Sequence, residues 1–265
     1  MERRDRFLPP YISTRFTARL LTILLLVTAA VSGLSAGFEI SQLHVLSGIG
    51  DYADVDEETR WAYTFIRNTL LVSRLVLYGS IGIAFITWLH RCRINVRAFG
   101  CRRFRYSRIW AIIGFFIPIL NFFRPYQVVS EVWRASDPRA LETPTAWIPI
   151  PVSRYVLAWW VILLATAFFE ILAGGLVTHS GATVEDLFAA RSIGLLAGIT
   201  AASSAVLAYL VVSGIEESQE EKWAIISRAE AEANAVDPLR IDVLEEPEPP
   251  AITAKSIWRA HAAEP

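Results

Sequence analysis

The sequence predicts an all-α membrane protein with four transmembrane helices and a short proline-broken segment that is re-entrant or interfacial. Hydrophobic residues make up 54% of the 265 residues and the mean hydropathy is +0.39, whereas soluble domains are typically ~45–50% apolar. These residues concentrate in four runs, each close to the ~20 residues that a helix needs to cross a bilayer. A fifth run, residues 109–123, is shorter and contains Pro118.

The four predicted spans cover residues 20–38, 70–90, 155–177 and 192–213. The first follows Arg15 and Arg19, and its basic start, apolar centre and small residues are also typical of a secretory signal peptide. We predict an uncleaved span, because the apolar character continues to Phe38 and the later spans need this one to set their orientation. Cleavage remains the alternative.

Basic residues set the predicted orientation. With four spans, 21 arginines and lysines lie in the cytoplasmic parts and 3 outside; if residues 109–123 also cross, the totals become 13 and 11. Positive residues are enriched in cytoplasmic loops, so four spans with both termini in the cytoplasm are predicted. The excess of arginine over lysine, 23 to 2, and the abundant alanine indicate a bacterial protein, and hence the plasma membrane.

The chain divides into a membrane helical domain, residues 1–215, and an acidic cytoplasmic tail, residues 216–265. The start of the tail has helix-forming composition, and the Pro- and Glu-rich residues 244–250 predict disorder. Cys92 and Cys101 both lie in the cytoplasmic arginine loop, where thiols stay reduced. With His90 they lack the paired spacing and fourth ligand of a metal site, so no metal and no cofactor are predicted.

The short segment and its surroundings resemble a known family. The residues that carry the resemblance fall in a recognisable order over about 50 positions: Trp88-Leu89-His90-Arg91, Asn95, Arg97, Trp110, Gly114, Phe116-Ile117-Pro118-Ile119, Asn121, Arg124-Pro125-Tyr126, Glu131, Trp133 and Ser136-Asp137. They resemble the bacterial multi-pass membrane family catalogued as domain of unknown function 4328. Ser107-Arg108 departs from the family, which usually has proline shortly after that serine. The resemblance implies a multi-helix membrane fold over roughly residues 15–215 and no established activity.

The two prolines of this stretch predict two helix breaks, because Pro118 lacks a backbone donor and Pro125 biases Arg124 away from helix. Irregular backbone at membrane depth must face protein or water. One interpretation is a re-entrant plug that packs the bundle. The other is a polar pocket around Asn121, Arg124 and Tyr126 that binds an anionic lipid headgroup or a small anionic solute. Residues 126–135 then predict an amphipathic interfacial helix.

Two charged residues are predicted to pair inside the bilayer. At 1.5 Å per residue, Glu170 lies ~10 Å and Arg74 ~6 Å below the outer ends of their spans. An intramembrane carboxylate needs a partner or a proton. The alternative is that Arg74 reaches to the outer surface and Glu170 is protonated.

Small residues in two spans predict close helix packing. Gly194 and Gly198, like Gly33 and Gly37, have the G-x-x-x-G spacing that lets helices approach closely. The sequence leaves open whether these faces pack within one chain or between chains.

We predict a non-enzymatic membrane module that binds lipid or a membrane partner. The sequence has no H-E-x-x-H motif and no His-rich cluster. Its expected partners are membrane lipids, including anionic headgroups at the arginine-rich loop, and a membrane protein or a second copy of the chain. Nucleic acid is not expected, because a short loop against the membrane offers no folded reading surface. The alternative is a small transporter or channel component with a solute path near Asn121, Arg74 and Glu170.

Overall fold

Six helices build the computed structural model, which describes residues 8–48, 55–106, 117–177 and 183–236. The helices, in chain order, are α1 Arg15–Leu46, α2 Glu57–Ala98, α3 Pro118–Asn121, α4 Arg124–Ser136, α5 Arg154–Val177 and α6 Val184–Val236. No strand occurs in these described ranges, which confirms the all-α class. The described chain divides into two units, one that ends at Trp223 and one that begins at Ala224, and residues 224–236 are the last turns of α6. Residues 244–250, which the sequence predicts to be disordered, lie outside the described ranges.

Four of these helices, α1, α2, α5 and α6, are long and apolar enough to cross a membrane, which confirms the four predicted spans. Each helix except α5 extends well beyond its predicted span, because the flanking polar residues continue the helix. Large apolar side chains are exposed along their outer faces, as a lipid-facing surface requires. Among the most exposed are Phe16, Leu34, Leu75, Val76, Ile83, Phe168 and Ile171.

Consecutive long helices run in opposite directions, so the bundle has two distinct ends. At the first end, Thr14 Oγ1 donates to Glu216 Oε2 over 2.6 Å, and the backbone of Ile12 exchanges two 2.9 Å hydrogen bonds with the Asn95 side chain. At the second end, Arg191 Nη1 lies 3.5 Å from Glu39 Oε2. The start of α1 therefore lies at the same end as the last turns of α2 and residues 216–223 of α6.

The chain leaves α2 and returns in α4 at this first end. Arg105 N donates to Glu131 Oε1 over 2.9 Å, and Arg102 N donates to Pro144 O over 2.8 Å. The last turns of α2 and α4 therefore lie at the same end of the bundle, in agreement with four spans. Residues 107–116 lie outside the described ranges, so the predicted segment 109–123 is described from Ile117 onward.

The described part of the short segment breaks as its prolines predict. Pro118 is the first residue of α3, where its missing N–H costs no hydrogen bond. α3 ends at Asn121, and α4 begins at Arg124, directly before Pro125. The chain thus starts a new helix twice within seven residues.

α4 differs from the interfacial helix predicted for residues 126–135. Its apolar residues Val128, Val129, Val132 and Ala135 are at most 1% exposed and belong to or border the hydrophobic core. The apolar face therefore packs on protein and not on lipid. The amphipathic pattern is the same in both cases, so sequence periodicity alone does not distinguish a bilayer surface from a protein surface.

The glycines of α6 let it pack closely on α1. A Cβ built on Gly198 would lie 3.1 Å from Ala36 Cβ and 3.2 Å from Ser32 O, and one on Gly194 would lie 3.2 Å from Glu39. The G-x-x-x-G face of α6 therefore packs inside the chain. Gly33 and Gly37 of α1 have open space around them instead.

Candidate functional site

An elongated cavity of about 610 Å³ lies among α1, α2, α3, α5 and α6. Its lining on α2 runs from Leu71 to Ile86 and on α5 from Trp159 to Ile171, so the cavity follows the helices for about 20 Å at 1.5 Å per residue. Most of the lining is aliphatic or aromatic. This volume lies within the ~300–1,000 Å³ typical of ligand sites.

The cavity opens sideways between α2 and α5. Leu75 and Ile171 line it and are also exposed, at 62% and 76%. Both belong to the apolar outer surface of the spanning helices. The opening therefore leads to the part of the surface that faces lipid when the helices cross a membrane.

Arg74 and Glu170 line this cavity and form an ion pair between α2 and α5. The Arg74 guanidinium also donates to Tyr78 Oη, one turn along α2, over 3.0 Å. The structure thus brings together the two charges whose depths match in the sequence. Their pairing reduces the cost of placing each charge in a poorly hydrated site.

The pair belongs to a charged layer across the second end of the bundle. Glu39, Glu170 and Arg191 each lie seven residues from the helix end nearest to them, Leu46, Val177 and Val184, which is about 10 Å. Arg67 and Arg74 are both close enough to act electrostatically on Glu39. We call Glu39, Arg67, Arg74, Glu170 and Arg191 the charged layer.

Asn121, at the end of α3, lines the part of the cavity near the first end of the bundle. The neighbouring carbonyl of Phe122 accepts a 3.0 Å hydrogen bond from Trp160 Nε1. This bond satisfies a backbone group that the break between α3 and α4 leaves free. α3 therefore forms part of the cavity wall.

The other residues of the predicted polar pocket lie elsewhere. Arg124 stacks over the Tyr106 ring at 4.6 Å and donates to Gln127 Oε1 over 3.2 Å. Tyr126 packs against the hydrophobic core and Pro125 is buried. Neither Arg124 nor Tyr126 lines the cavity. Pro118 opens α3 and so places Asn121.

A buried polar network that the sequence did not reveal fixes the first end of the bundle. Arg93 is fully buried, donates to Glu131 Oε2 over 2.7 Å and lies 4.0 Å from the centre of the Phe104 ring. Lys222 is also fully buried, and its Nζ donates to the carbonyls of Ala135 and Ala140 over 2.9 Å. From the sequence alone, both positive charges indicate only which side of the membrane is cytoplasmic, and neither is expected to be buried.

The two cysteines lie within this end of the bundle, and both are free and buried. Burial raises the pKa of the Cys101 thiol, and nearby Lys222 partly offsets that effect. In the described part of the chain, no three His, Cys, Asp or Glu side chains are grouped so that they could hold a metal ion.

A family model matches this chain. It is described as "Domain of unknown function (DUF4328)" and covers residues 51–217, which include α2 to α5 and most of α6. No curated protein and no solved structure matches the chain.

Proposed function

The chain belongs to the domain of unknown function 4328 family, and we propose that it is a non-enzymatic membrane protein that binds lipid in its intramembrane cavity. One observation carries the proposal: the cavity is elongated, mostly apolar and open sideways between α2 and α5. A hydrocarbon chain can enter such a site from the bilayer without crossing water. Its burial would be favoured by close contact with the apolar lining.

A non-enzymatic role is proposed from the chemistry of the cavity and from the chain's motifs. Its charged groups, Arg74 and Glu170, are paired with each other.

The chain also contains the G-x-S-x-G spacing of a hydrolase nucleophile, in Gly33-Leu34-Ser35-Ala36-Gly37, but that motif requires a strand, a sharp turn and a helix. Here Ser35 lies in the middle of α1 and donates to Val31 O over 2.9 Å, which supports a packing role.

We place the protein in a bacterial plasma membrane with both termini in the cytoplasm. Of the described residues, the first end of the bundle holds the start of α1, the last turns of α2, residues 99–106, α4 and residues 216–223, where most of the described basic residues lie. The positive-inside rule favours this end as the cytoplasmic one. The cavity's charged layer would then face the outer half of the bilayer.

A photoreactive lipid tests the proposed function. The full-length protein in nanodiscs would be illuminated with a neutral long-chain alcohol that carries a diazirine in its chain, and the labelled peptides mapped by mass spectrometry. Gly82 lines the cavity and has open space beyond its Cα, so Gly82→Trp fills the site without a backbone clash. We expect labelling of the α2 and α5 lining to fall about fivefold or more in this variant.

Gly79→Trp is the matched control. Gly79 lies one turn earlier on α2, also has open space, and does not line the cavity. Labelling should stay within about twofold of the unchanged protein, because the added ring leaves the cavity empty. Equal labelling in both variants, or labels confined to the outer faces of the helices, would disprove binding in the cavity.

A small transporter or channel component is the second candidate, because the cavity is lined by Asn121, Arg74 and Glu170 together. Ionisable groups along a cavity within the membrane mark solute paths in transporters. Glu170→Gln separates the two functions. A transporter should lose flux in proteoliposomes, whereas a lipid-binding protein should show no flux before or after the substitution.

A further inference from the structure

We propose that the cavity selects long-chain amphiphiles with an anionic headgroup, which binds in the charged layer at Arg74 while the chain extends toward Asn121. This inference rests on the proposed function and adds the class of ligand and its direction. The shared chemistry is an oxyanion, either a carboxylate or a phosphate, on a single hydrocarbon chain.

The two ends of the cavity differ in chemistry. The part near the second end of the bundle is lined by Arg74, Tyr78 and Glu170, whereas the part near the first end is lined by Asn121, Trp159 and Trp160. A molecule with one charged and one apolar end matches this arrangement in one direction only. Burial of its chain against the apolar lining would supply affinity, and the headgroup would set its orientation.

The charged layer carries a net positive charge. It contains three arginines and two glutamates, Arg67, Arg74 and Arg191 against Glu39 and Glu170. Electrostatic interactions are strengthened where water is scarce. An anionic headgroup would balance the excess charge, whereas a cationic one would add to it.

Arg74 also has hydrogen-bond donors that remain available to a ligand. A guanidinium has five N–H donors in a planar fork, and the bonds to Glu170 and Tyr78 both use Nη2. Its Nε is buried, and no residue of the described ranges accepts a hydrogen bond from it. A carboxylate or phosphate is the acceptor whose geometry fits such a fork.

Competition against the neutral photoreactive alcohol tests the ligand class. Hexadecanoic acid, hexadecyl phosphate and hexadecanol have the same chain and would be compared at equal mole fraction in nanodiscs of phosphatidylcholine, at a pH where the acid is ionised. We expect the two anions to reduce labelling of the cavity about tenfold more effectively than hexadecanol, which corresponds to ~1.4 kcal/mol. The stronger of the two anions identifies the headgroup as carboxylate or phosphate.

Two substitutions test whether Arg74 is the residue that makes the cavity prefer anions over the alcohol. Arg74→Gln should bring the ratio of anion to alcohol close to one, and Glu170→Gln should keep or increase it by removing the competing carboxylate. Arg139→Gln is the control, because Arg139 is exposed and pairs with Asp137 at the first end of the bundle.

The outcomes separate this inference from the proposed function. Equal competition by all three amphiphiles in the unchanged protein would overturn the anionic preference while leaving lipid binding in place, and that comparison needs no variant to fold. Absence of any label in the cavity would overturn both. A preference for anions that Arg74→Gln leaves intact would show that the headgroup binds elsewhere.

Discussion

Among the Arg–Glu pairs that join helices, two involve α2 and lie toward opposite ends of the bundle. The Arg93–Glu131 pair joins α2 to α4, and Glu131 accepts a second hydrogen bond from the backbone of Arg105. The Arg74–Glu170 pair joins α2 to α5 and borders a cavity. The first pair is enclosed by protein, so it is structural, whereas the second is accessible to a ligand.

A double-mutant cycle on Arg74 and Glu170 tests whether their pairing stabilises the fold. Either Glu170→Gln or Arg74→Leu leaves the other group without its partner, so each should lower the free energy of unfolding by ~1–3 kcal/mol. The double variant should lose less than the sum of the two, because no unpaired charge remains. Thermal melting of the purified protein in detergent measures all three, and strictly additive losses would show that the side chains do not interact in the membrane protein.

The sequence predicted one of these pairs and missed the other for a physical reason. Arg74 and Glu170 are isolated in apolar runs, so their depth follows from the helical rise alone. Arg93 and Glu131 lie among other polar residues near the membrane surface, where many partners are available. Their pairing depends on how α4 folds back across α2, and no spacing in the sequence encodes that geometry.

At the scale of the helices, the same G-x-x-x-G spacing occurs both on a face that packs against a neighbouring helix and on a face that does not. Gly194 and Gly198 of α6 pack on α1, whereas Gly33 and Gly37 of α1 face open space. The motif predicts a helix that can be approached closely, but the rotation of the helix decides whether a neighbour is there. The same ambiguity applies to α4, whose amphipathic pattern suits either lipid or protein.

Alanine substitution at two glycines tests this difference. In Gly198→Ala, the new Cβ would press on the backbone of Ala36 and Ser32, which move only if α1 and α6 separate. We expect a loss of ~1–3 kcal/mol from overpacking, larger than the ~1 kcal/mol that alanine gains in helix propensity.

Gly33→Ala is the control for that prediction. It adds the same methyl group to open space, so the stability should stay unchanged or rise by up to ~1 kcal/mol. Chemical or thermal unfolding of both variants in one detergent measures the difference. A stable Gly198→Ala would mean that α1 and α6 are less closely packed, and a destabilised Gly33→Ala would indicate that a second molecule covers that face.

At the scale of the whole molecule, the topology can be tested from both sides of the membrane. Ser13→Cys and Thr143→Cys lie at exposed positions at the first end of the bundle, and Glu58→Cys lies at an exposed position at the second end. An impermeant maleimide should reach the first two only from the cytoplasm and the third only from outside. The native thiols are buried, so the unchanged chain serves as the control for background labelling.

Two results would contradict this topology. Labelling of Ser13→Cys and Thr143→Cys from opposite sides would require a fifth crossing between α2 and α4. Labelling of both from outside, with Glu58→Cys inside, would keep four spans and reverse the orientation that the arginines predict.

Much of the architecture was predictable because it depends on properties that can be counted along the sequence. The number of spans follows from the length and hydropathy of the runs, and the even number of crossings follows from the distribution of arginine. The cavity was not predictable in the same way. Gly82 of α2 and Ala201 and Ala205 of α6 line it and leave space with their small side chains. A small residue in a sequence does not show whether a neighbouring helix packs against it or whether the space beside it stays empty.

The sideways opening between α2 and α5 also decides how occupancy of the cavity must be described. A molecule that enters there arrives by two-dimensional diffusion within one leaflet, so its relevant concentration is its mole fraction among the lipids and not its molarity in water. Diluting the protein with more bilayer at a fixed total amount of ligand should therefore empty the cavity, while diluting the whole sample with buffer should leave its occupancy unchanged.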